Sequence, residues 1–174
     1  MTRKFETLKE IEEYAETGET LYVRWSGDPE GDTRRGYSKN YATGETECGL
    51  SVNNLCSDWL PMSRQITEYQ HSMLPVCCLM TGEYVGRGSD NEPLIINAKV
   101  IGIVTPNALA EAHAANESHL NAKVVNQTIR LMTISNRPMQ RNALARMVSS
   151  SCGCFVDEVE AIWAAENVNL WNVT

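Results

Sequence analysis

The sequence predicts an α+β fold: a compact mixed sheet with flanking helices and a helical C-terminal extension. Three observations carry this reading. Apolar residues recur at every third position over Phe5, Leu8, Ile11 and Tyr14, as on one face of a helix. They alternate with polar residues over Leu21–Ser26, as on a strand. The elements run helix, strands, one helix, strands and then mostly helices, an order that a doubly wound βαβ fold does not produce.

The first helix is expected over Leu8–Glu16, with Thr7 and Glu10 at capping-box spacing and Gly18 as its stop. The strand Leu21–Ser26 (LYVRWS) follows. Residues 27–48 are rich in Gly, Asp, Ser and Thr and read as a long loop with room for a short hairpin. A second short strand covers Leu50–Asn53. Trp59-Leu60-Pro61 leads into a helix over Ser63–Met73, which Pro75 ends. The run VCCLMTGEYVGRG reads as strand, turn and strand edge. Pro93–Val104 (PLIINAKVIGIV) is the most β-rich stretch, with a turn at Asn97-Ala98. Thr105 and Pro106 open the next helix as N-cap and first helical residue. Residues 121–135 fit either a strand or a continuation of that helix. Pro138 starts a helix to Val148, and Phe155–Glu166 forms the last one, with Phe155, Val159, Ile162 and Trp163 on one face. The chain is read as a single domain, 1–174, with a core over about 1–104 and the helical extension over about 105–174.

A chain of 174 residues, 43% hydrophobic and 21% charged, can bury a core of its own. Its net charge of −7 opposes general affinity for a nucleic-acid backbone, and the pair Arg34-Arg35 reads as a solvated loop. No apolar run approaches the ~20 residues of a membrane span. The first residues, MTRKFETLKEIEEY, are charged rather than apolar. These features predict a cytoplasmic protein without a membrane partner, whose six cysteines are reduced thiols.

No metal is expected. Cys77-Cys78 and Cys152-Gly153-Cys154 lack the spacing of zinc hooks, and His113 and His119 fall on different helix faces. A thiol nucleophile paired with His71 has no local signature. Phosphate-loop, dinucleotide-fingerprint, metalloprotease and serine-hydrolase motifs do not occur.

Three short pieces place polar residues in or beside apolar strands. Arg24 lies within Tyr22-Val23-Arg24-Trp25-Ser26, Ser51 lies within Gly49-Leu50-Ser51-Val52-Asn53, and Glu92 lies at the head of the strand that begins at Pro93. Polar groups in such settings need partners. Taken singly, Arg24 reads as the partner of a structural carboxylate and Ser51 as outward-facing.

Taken together, the pieces resemble the Arg-Ser-Glu arrangement of ADP-ribosyltransferases. LYVRWS is similar to the first-strand arginine motif of that family, GLSVN to its serine strand, and DNEPLIINAKVIGIV to its acidic motif. The combination of YVRWS, GLSVN and GRGSDNEPLI also resembles a small bacterial domain family with no assigned activity. The resemblance covers roughly residues 20–105. Ser51 is followed by Val52-Asn53 where the transferases carry Ser-Thr-Ser, and Asp90 stands where many carry Glu or Gln.

The resemblance implies an ADP-ribosyltransferase-like sheet and NAD as substrate, with transfer of ADP-ribose to an unknown acceptor, expected to be a protein. It assigns Arg24 to the phosphates or ribose, with Tyr22, Ser26 and Arg87 as further NAD-binding residues. Glu92 would stabilise the sugar cation, Ser51 would hold a ribose or support Glu92, and Asp90 would orient the acceptor. Tyr22, Trp25 and Tyr84 are candidates for ring stacking, and Arg64 for phosphate contact. The other expectation is a non-catalytic interaction module, such as an inhibitor, immunity protein or adaptor. The acidic composition and the long loop at 27–48 fit it equally well.

Overall fold

Two long apolar runs become the longest strands of a mixed sheet. The computed structural model describes residues 2–40, 42–68, 76–134 and 141–166. Along the chain these form β1 (Arg3–Phe5), α1 (Leu8–Ala15), β2 (Leu21–Ser26), α2 (Pro29–Arg35), β3 (Leu50–Ser51), β4 (Asn53–Leu55), α3 (Trp59–Thr67), β5 (Val76–Arg87), β6 (Pro93–Val104), α4 (Pro106–Ile134), α5 (Arg141–Cys152) and α6 (Val156–Ala165). The chain divides into two compact units, Met1–Ala115 and Asn116–Thr174.

In the first unit the strands form one sheet in the order β1-β6-β5-β2-β4, with β3 also paired to β6. β1 is parallel to β6, and the other pairs are antiparallel. The stretch expected as one strand over Leu50–Asn53 is split at Val52. β3 lies on β6, whereas β4 lies on the edge of β2 away from β5. One short segment thus reaches both flanks of the β6-β5-β2 ribbon, so the ribbon is strongly curled.

Bulges supply that curl, because each bends and twists its strand. The β5–β6 register shifts at Leu79/Met80, Thr81/Glu83 and Tyr84/Gly86. The sequence suggested turns instead, and the structure corrects both. β5 runs continuously through Gly82, whose missing side chain admits Ile95. β6 runs continuously through Asn97, which adopts φ 52°. Asparagine tolerates that left-handed conformation, so a bulge and a turn look alike in sequence.

Strand alternation gives the sheet two apolar faces. On the outer face Leu21, Val23, Cys77 and Leu79 pack with Phe5 and with α1, α3 and the start of α4. On the inner face lie Tyr22, Leu50, Val52, Cys78, Met80 and Ile95. The neighbours Cys77 and Cys78 therefore enter different cores. Burial pushes both thiols above their ordinary pKa, and no disulfide joins the cysteines.

Local signals set the helix starts. Thr7 Oγ1 accepts from Glu10 N at 3.2 Å, while the Glu10 carboxylate reaches back to Glu6 N at 2.7 Å. Thr105 Oγ1 accepts from Ala108 N at 3.2 Å and donates to the Phe5 carbonyl at 3.0 Å, which ties α4 to β1. Phe5, expected on the helix stripe, belongs instead to β1. α3 starts at Trp59 rather than Ser63, since Pro61 falls in a first turn that needs no N–H partner. Its expected end at Met73 and stop at Pro75 lie outside the described residues.

The second unit holds the rest of α4 with α5 and α6. Residues 121–134 continue α4, so the helical alternative holds there. Leu120, Val124, Leu144, Val148, Ile162 and Trp163 form its core. Trp163 Nε1 donates to Thr128 Oγ1 at 2.6 Å, and that hydroxyl donates to the Val124 carbonyl at 2.8 Å. The expected helix start at Pro138 lies outside the described residues, and α5 runs past Val148 to Cys152. Among the described residues no helix is long and apolar enough to cross a membrane.

The closest backbone approach in the sheet tests this fold. A Cβ at Gly102 would lie 2.7 Å from the Arg3 carbonyl oxygen and 2.7 Å from the Phe5 ring. Gly102→Ala should cost ~1–3 kcal/mol, the usual range for overpacking. Urea denaturation reads the loss, and amide exchange should show β1 losing protection first.

Candidate functional site: a polar cleft on the inner face

The cleft begins with a helix that the loop expectation over 27–48 missed. In Asp28-Pro29-Glu30-Gly31-Asp32-Thr33-Arg34-Arg35-Gly36, Asp28 Oδ1 caps Gly31 N at 3.0 Å and Pro29 takes the first turn. Gly36 ends α2 at φ 76°, a conformation that glycine adopts without strain. α2 lies against the inner face and places Asp32 over β2.

Asp32 gathers three donors. Its Oδ2 accepts from Arg24 Nε at 2.8 Å and Ser26 Oγ at 2.6 Å, and its Oδ1 accepts from Arg35 Nη2 at 2.8 Å. The side chains of Asp32 and Arg24 are only 11% and 19% exposed, so this is a substantially desolvated pair. Burial alone would raise the Asp32 pKa. The Ser26 hydroxyl and the two guanidinium groups outweigh it and hold the carboxyl below its usual range.

Arg24 carries the arrangement on to β3. Its Nη1 donates to the Ser51 carbonyl at 2.7 Å. Ser51 Oγ donates to Glu92 Oε1 at 2.9 Å, and Asp90 N donates to Glu92 Oε2 at 2.9 Å. Gly88 makes room for this carboxylate, since any side chain there would collide with it. Asp90 was expected on an extended chain. It lies in the turn before β6, so strand alternation does not govern its direction.

The expected short hairpin within the loop is present after α2. Ser38 N bonds to the Gly49 carbonyl, Glu47 N to the Ser38 carbonyl, and Asn40 N to the Glu45 carbonyl. Ser38 Oγ accepts from Ser51 N at 3.0 Å, which fixes the hairpin to β3.

These parts enclose a cleft of about 610 Å³. Arg24, Ser51, Asp90 and Glu92, all singled out from sequence, line it together. Arg35, Tyr37, Ser38, Lys39, Asn40 and Glu47 also line it, and sequence reasoning did not pick them out. Arg35 was assigned to a solvated loop. The signal that would have revealed its position is the Asp-Pro start and Gly end of α2.

The remaining candidates stand elsewhere. Tyr22 is buried in the inner core, and Ser26 is buried beneath Asp32. Arg87 is exposed, donates to the Asn91 carbonyl at 3.2 Å and lies over the Tyr84 ring. Trp25 packs against the outer core. None of these lines the cleft, nor does Arg64.

Asp32 offers a direct test. Asp32→Asn keeps the shape but leaves two guanidinium groups without a counter-charge. It should cost about 3 kcal/mol, the low end for breaking a buried pair. Because the folded-state pKa is depressed, the carboxylate's contribution is present above the unfolded value of ~3.9 and is lost as pH falls through the lower folded value. Acid denaturation curves should therefore show a wild-type stability loss below about pH 4 that is smaller in the variant.

No curated protein and no solved structure matches the chain. A family model described as a family of unknown function, DUF6098, matches residues 1–126. That span takes in more than two thirds of the 174 residues and every described residue that lines the cleft. The chain therefore belongs to DUF6098, a family of unknown function.

Proposed function

We propose that the chain is an ADP-ribosyltransferase-like enzyme that transfers ADP-ribose from NAD to an unknown acceptor. The observation that carries this reading is the Glu92 carboxylate, held by the Ser51 hydroxyl and the Asp90 N–H in a cleft that also presents Arg24 and Arg35. The cleft volume lies in the usual range for small-ligand sites, ~300–1,000 Å³.

The charges suit NAD, which carries an anionic diphosphate and a cationic nicotinamide ring. Arg35 and Lys39 offer positive charge, whereas Asp90 and Glu92 offer negative charge. In the transfer, the bond between ribose C1′ and the nicotinamide nitrogen breaks. Its electron pair leaves with the neutral nicotinamide. The ribose gains positive charge, which Glu92 stabilises electrostatically. The acceptor nucleophile then bonds to C1′ and gives up its proton, for which the Asp90 carboxylate is the proposed recipient, since that residue lines the cleft.

One observation favours the alternative, a non-catalytic interaction module such as an inhibitor, immunity protein or adaptor. Two of Arg24's nitrogens are already engaged, by Asp32 and by the Ser51 carbonyl.

Glu92→Gln separates the two readings. It should leave NAD affinity within ~2-fold and cut nicotinamide release by at least ~10²-fold, the scale for losing one preorganised electrostatic partner. The assay is nicotinamide release with and without cell lysate as acceptor source. Wild-type protein that binds NAD without releasing nicotinamide supports the interaction module. Protein that neither binds nor cleaves NAD overturns the NAD reading altogether.

A further inference from the structure

We infer that the cleft holds the diphosphate of its ligand through Arg35 and Lys39, with Arg24 serving as an internal clasp. This deepens the NAD reading, and rests on it only for the identity of the whole ligand. Arg35 is hydrogen-bonded at two points, to Asp32 Oδ1 through Nη2 at 2.8 Å and to the Tyr37 carbonyl through Nε at 2.8 Å, and its guanidinium lies over the Tyr37 ring. Both restraints come from one side of the guanidinium, and among the described residues nothing accepts from Nη1. A guanidinium fixed in this way is preorganised for an oxyanion.

Lys39 follows four residues later, on the first arm of the hairpin. Its backbone bridges to Thr46, its side chain is exposed, and no described carboxylate pairs with it. Arg35 and Lys39 both line the cleft, as does Tyr37 between them. Two cations lining one cleft, one a planar fork and one an ammonium on a long stem, suit two linked phosphates rather than a single carboxylate. Glu47, on the returning arm, also lines the cleft and opposes these charges.

The test is calorimetric titration with two probes, inorganic pyrophosphate and NAD. Lys39→Gln and Arg35→Gln should each weaken binding of both probes ~10-fold, as expected for one charge-assisted contact. Arg34→Gln removes the same charge from the exposed neighbour that does not line the cleft, and should change binding less than ~2-fold. Glu47→Gln should tighten pyrophosphate binding. Arg35 also contacts Asp32, so Arg35→Gln is checked by circular dichroism. Lys39→Gln, which breaks no described ion pair, decides the matter if that variant unfolds.

Pyrophosphate bound by the wild type and lost in Lys39→Gln, with NAD ignored, upholds the diphosphate site and overturns the NAD reading. NAD bound and cleaved equally well by Lys39→Gln and Arg35→Gln upholds the NAD reading and overturns this site. Absence of pyrophosphate binding, or an equal loss in Arg34→Gln, also overturns it.

Discussion

The cleft depends on one buried carboxylate. Asp32 turns one oxygen to β2, through Arg24 and Ser26, and the other to Arg35 on its own helix. It thereby fixes α2 to the inner face and orients a guanidinium at the cleft. Arg24 passes the constraint to β3 through the Ser51 carbonyl, and the Ser51 hydroxyl passes it to Glu92. Residues far apart in sequence are thus set by one continuous chain of bonds. In a desolvated setting such a network holds firmly only while every member is satisfied.

The sequence revealed what local chemistry decides. Thr7 and Thr105 cap the helices as their spacing indicated, and the Leu21–Ser26 alternation made a strand with two buried faces. Arg24, Ser51 and Glu92 were conspicuous because polar groups beside apolar strands need partners, and the structure brings those three together. Support of Glu92 by Ser51 was one of the two roles expected of that serine, whereas which carboxylate Arg24 meets was not legible. Asp32 lies in a seven-residue helix within a Gly- and Asp-rich stretch, too short for an apolar period to show. Tyr22 and Ser26 share Arg24's face of β2, but depth along that face is a tertiary quantity. One sits in the core and the other beneath a carboxylate. The curl itself rests on bulges, whose positions follow from register with a distant strand.

The acidic composition and the cations of the cleft are compatible because they act over different distances. A net charge of −7 repels an approaching diphosphate from afar. At physiological ionic strength that field decays over about 8 Å. Within the cleft the nearest charges dominate, and Arg35 and Lys39 are among the residues that line it. Among the described residues, every one that lines the cleft belongs to the first unit and falls inside the span shared with the family. The chemistry of the cleft is therefore explained from that unit.

Energetics decide how Arg24 contributes. For Arg24 to give Nε to a bound phosphate it would have to release Asp32, leaving a carboxylate that is 11% exposed with one guanidinium fewer. Breaking a buried pair costs about 3–5 kcal/mol, whereas a hydrogen bond to a charged group returns about 1.5–3 kcal/mol. The exchange is unfavourable, so Arg24 keeps its internal partners and offers a ligand only the nitrogen they do not use. Arg35 faces no such conflict. Its side chain is 42% exposed, so an added phosphate contact need not displace Asp32 and meets less desolvation cost. The arginine most visible in the sequence therefore builds the cleft, and the one assigned to a solvated loop is the one free to face what enters it.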